Sequence, residues 1–446
     1  MKIHFIGIGG IGVSALAQYY LQKGHDISGS DLVASEITSF LAQKGVNIMI
    51  GNAAANITQG IELIIHSPAV KTENPELMQA KKYGIKAITY PEALGGLTRD
   101  YETIAVAGAH GKSTTTAMIG LLLVKAGIDP TIIVGTKLKE LGGTNFRMGA
   151  SKYLVIEACE YDGSFLNYSP KITVITNIDK EHMDYFKTFA NVKKTFMDFI
   201  VRLPIDGWLV VNRDEKNLKI KNPMPTGRQE KSKLQFKIQN YGLRDPEAKK
   251  LKKILQIPGA HNVSNALAAL GVARILGVKD EVSFASLAEY KGSWRRFEMK
   301  TAELSGILHG KPRKITVISD YGHHPTEVLA TLMGAREKFG KAKIWLIFQP
   351  HQHQRTFYLL KDFVKLFKQA KIDHIIITDI YDVAGRETQK INKKISAEEL
   401  VKKIARKNVV YMPEAAAEQF VKQGIAENDV LIIMGAGDIY KLYDTF

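Results

Sequence analysis

The stretch IAVAGAHGKSTTTAMIGLLL, Ile104 to Leu123, constrains the fold more than any other part of the chain. An apolar run of strand length leads into a turn of small residues, then Gly-Lys-Ser-Thr, then an apolar run of helix length. A buried strand feeding a helix through such a turn leaves backbone N–H groups at the helix start without partners, and these favour an anion. The turn Gly108, Ala109, His110, Gly111, Lys112, Ser113, Thr114 is a shortened phosphate loop, because Ala107 or Val106 stands where the longer pattern has its first glycine. In that geometry Lys112 reaches terminal phosphates, and Ser113 or Thr114 can ligate magnesium. A turn that only joins strand to helix is the alternative.

A different glycine-rich loop opens the chain. IHFIGIGGIGVSAL places Gly7, Gly9 and Gly12 in the pattern G-x-G-x-x-G, directly after an apolar run and before a helical one. Asp31 follows about twenty positions on, where such fingerprints carry the acid that takes a ribose hydroxyl. The reading is a diphosphate-linked nucleotide, either bound or hydride-active. The alternative is a glycine turn needed only for tight strand–helix packing.

The chain has 446 residues, enough for roughly three domains of about 150 residues. Apolar runs alternate with helical stretches in three series, which predicts an α/β protein. Its three domains are a Rossmann-like domain over 1–97, a P-loop ATPase domain over 98–293 and a second Rossmann-like domain over 294–446. The polar, lysine-rich stretch Lys216 to Gln256 reads as loop with short strands, and GSWRRFEMK reads as a hinge. A single cysteine, Cys159, excludes an internal disulfide and a thiolate zinc cluster, and suits a reducing cytoplasm. The N-terminal glycines argue against a signal peptide, and no apolar run approaches a membrane span. The net charge of +16 favours anionic partners, but the lysines are scattered on helical stretches without interleaved aromatics, which argues against nucleic acid.

A phosphate loop with magnesium needs acids. Glu157 ends an apolar run in LVIEACEYDGSF, with Glu160 and Asp162 after it; TNIDKEHMDYF then carries Asn177, Asp179, Glu181, His182 and Asp184. Two acidic turns at strand ends beside a phosphate loop read as a metal site, although a histidine suits a hard cation less obviously than oxygens do. Cys159, between two acids, reads as a packing residue rather than a nucleophile. His351 and His353 read as polar strand-end residues.

Ten motifs in order carry a resemblance: HFIGIGGIGVSALA, GSD, GAHGKSTTT, EACEYDGSF, TNIDKEHMDYF, PGAHNVSNALAA, WRRFE, DYGHHPTEV, FQPHQHQRT and GAGDI. Together they resemble the Mur ligases over almost the whole chain, and are most similar to the alanine-adding branch. The branch that recycles murein tripeptide comes second, because its first loop departs from GIGGIG. The resemblance implies ATP-dependent amide formation in peptidoglycan synthesis. UDP-N-acetylmuramate, ATP and L-alanine would be the small-molecule substrates, the muramoyl carboxylate would form an acyl phosphate, and two magnesium ions would assist. It implies a UDP-sugar site at Gly7, Gly9, Gly10, Gly12, Asp31 and Ser67. It implies ATP contacts at Gly108 to Thr114, Asn177, His261, Asn262, Arg296 and Asp320. Ser113, Glu157 and His182 would hold metal, with Lys112, Glu157 and His182 as the catalytic set. Tyr321, His323 and Arg355 would recognise the amino acid, an arginine pairing with its carboxylate through two bonds. Gln352, Asn52 and Ser319 depart from the family pattern, and these departures bear on the fine contacts of the UDP-sugar and amino acid rather than on ATP chemistry. A nicotinamide dehydrogenase would leave Lys112 and the acids without a role; folylpolyglutamate synthases lack the N-terminal domain.

Overall fold

In the computed structural model, which describes residues 1–218, 236–304, 312–382 and 395–446, three sheets form. The chain divides into two compact units, one of Met1–Leu251 with Ser264–Ala288 and one of Lys252–Val263 with Glu289–Phe446.

The first unit holds two sheets. Strands β1 (Lys2–Ile6), β2 (Asp26–Asp31), β3 (Asn47–Ile50), β4 (Leu63–His66) and β5 (Lys86–Thr89) pair in the order β3-β2-β1-β4-β5, all parallel. Order reverses between β1 and β4, and in open α/β sheets ligands bind in the crevice beyond such a switch point. The loop Gly7–Gly10 leaves β1 there and enters the helix Ile11–Gln22, while Ser67 follows β4 on the other side.

The second sheet contains β6 (Glu102–Ala107), β7 (Thr131–Leu138), β8 (Thr144–Arg147), β9 (Tyr153–Glu157), β10 (Ile172–Ile175), β11 (Trp208–Asn212) and β12 (Lys237–Tyr241). Its order is β12-β11-β10-β6-β9-β7-β8, parallel except for the β7–β8 pair. Strand β6 is buried from Thr103 on and apolar from Ile104 on, as suits a central parallel strand. Its neighbours β9 and β10 end level with it: Val106 pairs with Glu157 and Ala107 with Ile175. The turns after these three strands therefore share one edge of the sheet. Beneath them Phe165 stacks on Phe199 at 4.4 Å between ring centres.

The stretch over Lys216 to Gln256, expected as loop with short strands, has a short strand in β12 but is corrected by a helix. Its described residues contain β12 and a helix Pro246–Ile254, which buries Ala248 and Leu251 and turns its lysines outward. Residues 219–235 lie outside the described residues.

The second unit holds β13 (Glu298–Leu304), β14 (Arg313–Asp320), β15 (Ile344–Phe348), β16 (His374–Ile377), β17 (Val409–Tyr411) and β18 (Val430–Met434). They pair as β13-β14-β18-β15-β16-β17, parallel except for β13–β14. No described helix is long and apolar enough to cross a membrane.

Candidate active site

The phosphate loop needs two backbone conformations that favour glycine. Gly108 has φ +138°, and a Cβ there would come within 2.0 Å of Thr176 Oγ1. Gly111 has φ +83° at the start of the helix Lys112–Lys125, and a Cβ would come within 2.5 Å of Asn265 Oδ1. Asn177, from the turn after β10, pins the loop: its Oδ1 accepts the His110 N–H at 2.9 Å, and its Nδ2 donates to the His110 carbonyl at 2.9 Å. Thr176 Oγ1 donates to the same carbonyl at 2.7 Å. Asn177 thus shapes the loop through its backbone. The His110 ring turns to Asp179, 3.0 Å away.

Lys112 folds back over the loop. Its ammonium donates to the carbonyls of Gly108 at 2.6 Å and Ala109 at 3.1 Å, and pairs with Glu160 Oε2 at 3.1 Å. Burial alone would lower its pKa, but Glu160, with Cys159 and Glu157 behind it, holds it above the ordinary lysine range. Glu160 is 1% exposed, and among the described residues its Oε2 makes the ion pair but no hydrogen bond. His182 Nε2 lies 3.9 Å from Glu160 Oε1 and its ring 4.8 Å from that of Tyr161. His182 sits at φ +54°, a left-handed conformation that costs energy in a non-glycine residue and marks a position held by its surroundings. Glu157 ends β9 and accepts the Gly135 N–H at 3.0 Å through one oxygen. Ser113, in the first helical turn, is buried.

Glu160 was noted in the sequence without a role. Its signal was there, since Glu157 and Glu160 are three apart just past a strand end, but only folding shows that the second acid holds the lysine. Burial, then Glu160, push the Cys159 thiol up to about 12, which agrees with a packing residue rather than a nucleophile.

The first glycine loop is assembled in the same unit. Gly7 has φ +77° and a Cβ there would meet Ser67 Cβ at 3.0 Å. Asp31 Oδ2 accepts the Gly9 N–H at 2.8 Å, so the acid expected to meet a ribose also fixes the loop. Gly10 caps the helix Ile11–Gln22 without a side-chain bond. Beneath this loop lies a network that sequence reasoning missed: buried Glu76 accepts from Ser30 Oγ at 2.7 Å and from Asn56 Nδ2 at 2.5 Å, beside His4.

In the second unit, Asp320 ends β14 and accepts from the N–H groups of Phe297 and Gly322, each at 2.9 Å, and from Thr331 Oγ1 at 3.2 Å. Burial raises its pKa, against the pull of Arg296 and those N–H groups. The Arg296 guanidinium lies over the Tyr321 ring at 4.8 Å. Tyr321 packs edge-on against His323 at 5.3 Å, His323 against His351 at 5.8 Å, and Arg355 Nη1 bonds His351 Nδ1 at 3.0 Å. The fold therefore links the three expected amino-acid residues, with His351 as the member that joins them. Arg295, also missed, is 6% exposed; it donates to the carbonyls of Gly435 at 2.5 Å and Gly437 at 3.0 Å and lies among the rings of Trp294, Tyr321 and Tyr440. Asn262 Nδ2 donates to the Pro258 carbonyl at 2.7 Å. The His261 ring lies over Gly259, whose φ is +100°, and burial pushes its imidazole down to about 4.

Comparison with known proteins adds three family matches. Residues 2–102 match the Mur ligase family, catalytic domain; 106–273 the Mur ligase middle domain; and 295–437 the Mur ligase, glutamate ligase domain. A UDP-N-acetylmuramate–L-alanine ligase of Aquifex aeolicus is 40% identical over 469 residues, covering 100% of this chain and 97% of the relative. One of Acetivibrio thermocellus is 39% identical over 467 residues, covering 100% and 95%. Among solved structures, UDP-N-acetylmuramate-alanine ligase MurC from Thermotoga maritima has a TM-score of 0.78 at 26% identity, covering 100% of this chain and 98% of that one. A murein peptide ligase from Psychrobacter arcticus shares the fold at a TM-score of 0.70 and 21% identity, covering 100% and 98%.

Proposed function

Since this chain belongs to the Mur ligase family, we propose that it joins L-alanine to the carboxylate of UDP-N-acetylmuramate, with ATP as co-substrate, in cytoplasmic peptidoglycan precursor synthesis. It is an ATP-dependent, amide-forming ligase. The observation that carries the reading is the pairing, within one unit, of a phosphate loop closed by Lys112 and Glu160 with a separate glycine loop at a switch point.

A carboxylate is a poor electrophile, so the first step makes a leaving group. The substrate carboxylate oxygen attacks the γ-phosphorus of ATP, the bond to the ADP oxygen breaks, and an acyl phosphate and ADP result. The amine of L-alanine then attacks the acyl carbon, and the tetrahedral intermediate expels phosphate. The protein contributes position and charge neutralisation. Lys112 would exchange its carbonyl partners for the terminal phosphates of ATP. The N–H groups at the start of its helix would cradle them, and Asn177 keeps those groups aimed. The first loop, Gly7 to Gly12, would hold the diphosphate of the UDP-sugar, with Asp31 and Ser67 beside it.

The donor set fits magnesium: Ser113 would hold one ion, and Glu157 and His182 a second, next to the buried Glu160 Oε2, which makes no hydrogen bond among the described residues. When bound, magnesium supplies charge neutralisation at the phosphates and the substrate carboxylate. His261, Asn262, Arg296 and Asp320 would serve ATP, and Tyr321, His323 and Arg355 the amino acid. The domains would run 1–97, 98–293 and 294–446.

The test is phosphate release with UDP-N-acetylmuramate, ATP and a panel of amino acids that includes the recycling tripeptide. Release with L-alanine supports the reading; release with the tripeptide alone overturns it in favour of the recycling branch. Lys112→Ala should abolish release, and normal turnover by that variant would remove the phosphate loop from the mechanism.

A further inference from the structure

Tyr90 is the first residue of the helix Tyr90–Thr98, and its position is held from several sides. Thr89 Oγ1 accepts the Glu92 N–H at 3.4 Å, and Glu92 Oε2 accepts from the Thr89 N–H and hydroxyl, both at 2.7 Å. This reciprocal cap fixes the first turn. Farther along, a Cβ on Gly95 would come within 2.5 Å of the Asn167 carbonyl oxygen, so the helix lies tight against the turn Tyr161–Asn167 that follows Glu160. Tyr90 is thus locked to the segment that carries the acids.

From there the phenol meets the other loop. A Cβ on Gly12 would come within 2.8 Å of Tyr90 Cζ and 2.9 Å of its hydroxyl oxygen. Gly12 lies in the first turn of the helix Ile11–Gln22, whose free N–H groups face the expected diphosphate. The third glycine of the loop is therefore small to admit a tyrosine tip, not only to let strand and helix approach. Burial first, then the charges of Glu157 and Cys159, push the phenol above the ordinary tyrosine range. The hydroxyl stays protonated, a donor, through the neutral range. It makes no hydrogen bond among the described residues.

We propose that the Tyr90 hydroxyl donates a hydrogen bond to the muramoyl part of the UDP-sugar, between the diphosphate at the first loop and the carboxylate activated beside Glu157. The inference rests on the ligase reading above. It makes Tyr90 a specificity residue that sets how far the sugar reaches from one loop to the other.

The test uses Tyr90→Phe, which keeps the ring over Gly12 and removes only the donor. The KM for UDP-N-acetylmuramate should rise about tenfold, as expected for one lost hydrogen bond. The KM values for ATP and L-alanine should stay within about twofold, and the melting temperature should not move. UDP alone, which lacks the sugar, should bind variant and wild type alike by calorimetry. An unchanged KM for the UDP-sugar, or an equal loss of UDP binding, overturns the proposal, the second outcome reassigning Tyr90 to the diphosphate. Wild-type turnover in the same assay separates the two levels. If wild type turns over and the variant matches it, only Tyr90 is misassigned; if wild type does not turn over, the ligase reading fails and takes this inference with it.

Discussion

Lys112 and Glu160 form an ion pair of 3.1 Å at the phosphate loop, with the lysine side chain 12% exposed and the glutamate 1%. The pair keeps a buried ammonium charged in the absence of phosphate. Removing one partner of a buried pair strands the other charge. Glu160→Ala should therefore lower stability by about 3–5 kcal/mol in denaturant unfolding. ATP with magnesium should then raise the melting temperature of the variant more than that of wild type, because phosphate replaces the missing carboxylate. Equal ATP shifts in the two proteins would show that Glu160 and phosphate do not share Lys112.

Asp31 holds the first loop through the Gly9 N–H at 2.8 Å. Asp31→Ala should weaken UDP-N-acetylmuramate binding at least about tenfold, the scale of a lost charge-assisted bond. ATP affinity, measured by calorimetry, should be unchanged because the phosphate loop has its own supports in Asn177 and Thr176. A parallel loss of ATP affinity would break the division of labour between the loops.

His261 has its imidazole pushed down to about 4 by burial, from an ordinary 6.5. The folded state thus binds fewer protons than the unfolded state between these values. Stability is fully present above pH 6.5, falls as pH drops toward 4, and loses nothing further from this group below 4. The group's share is no more than about 3 kcal/mol. His261→Gln should flatten the unfolding free energy across pH 4–6.5 relative to wild type. Identical slopes would mean that His261 does not titrate there.

Cys159, its thiol pushed up to about 12, should be a slow target. At pH 8 its carbamidomethylation, followed by mass spectrometry, should run at least about a hundredfold slower than that of a free thiol with a pKa near 8.5. Labelling at the free-thiol rate would place the sulfur in a different environment.

The strands that carry chemistry were readable because they are buried on both faces. β6, β9, β10, β15 and β18 are near-continuous apolar runs; β9 and β14 end at Glu157 and Asp320, and Gly108, Asn177 and Gly435 stand just past β6, β10 and β18. Strands β3, β8 and β13 are hard to read from sequence, and each lies at the edge of a sheet. TNFR and EMKTAEL carry polar residues at the edge, and NIMI is only four residues long, so none gives much period to read. The lysine-rich helix Pro246–Ile254 was overlooked because only Ala248 and Leu251 turn inward.

By itself, the sequence determined the three α/β series, the two glycine loops and the residue types at each strand end, because these follow from local period and from backbone conformations that favour glycine. Tertiary structure decided the pairings: Lys112 with Glu160, Asn177 with the His110 backbone, Asp31 with Gly9, Tyr90 over Gly12, and His351 between His323 and Arg355. Each joins residues on different elements, and no local pattern encodes which strand end will lie beside which. That depends on the strand order of each sheet, where β10 and β9 flank β6 although the chain visits β7 and β8 first.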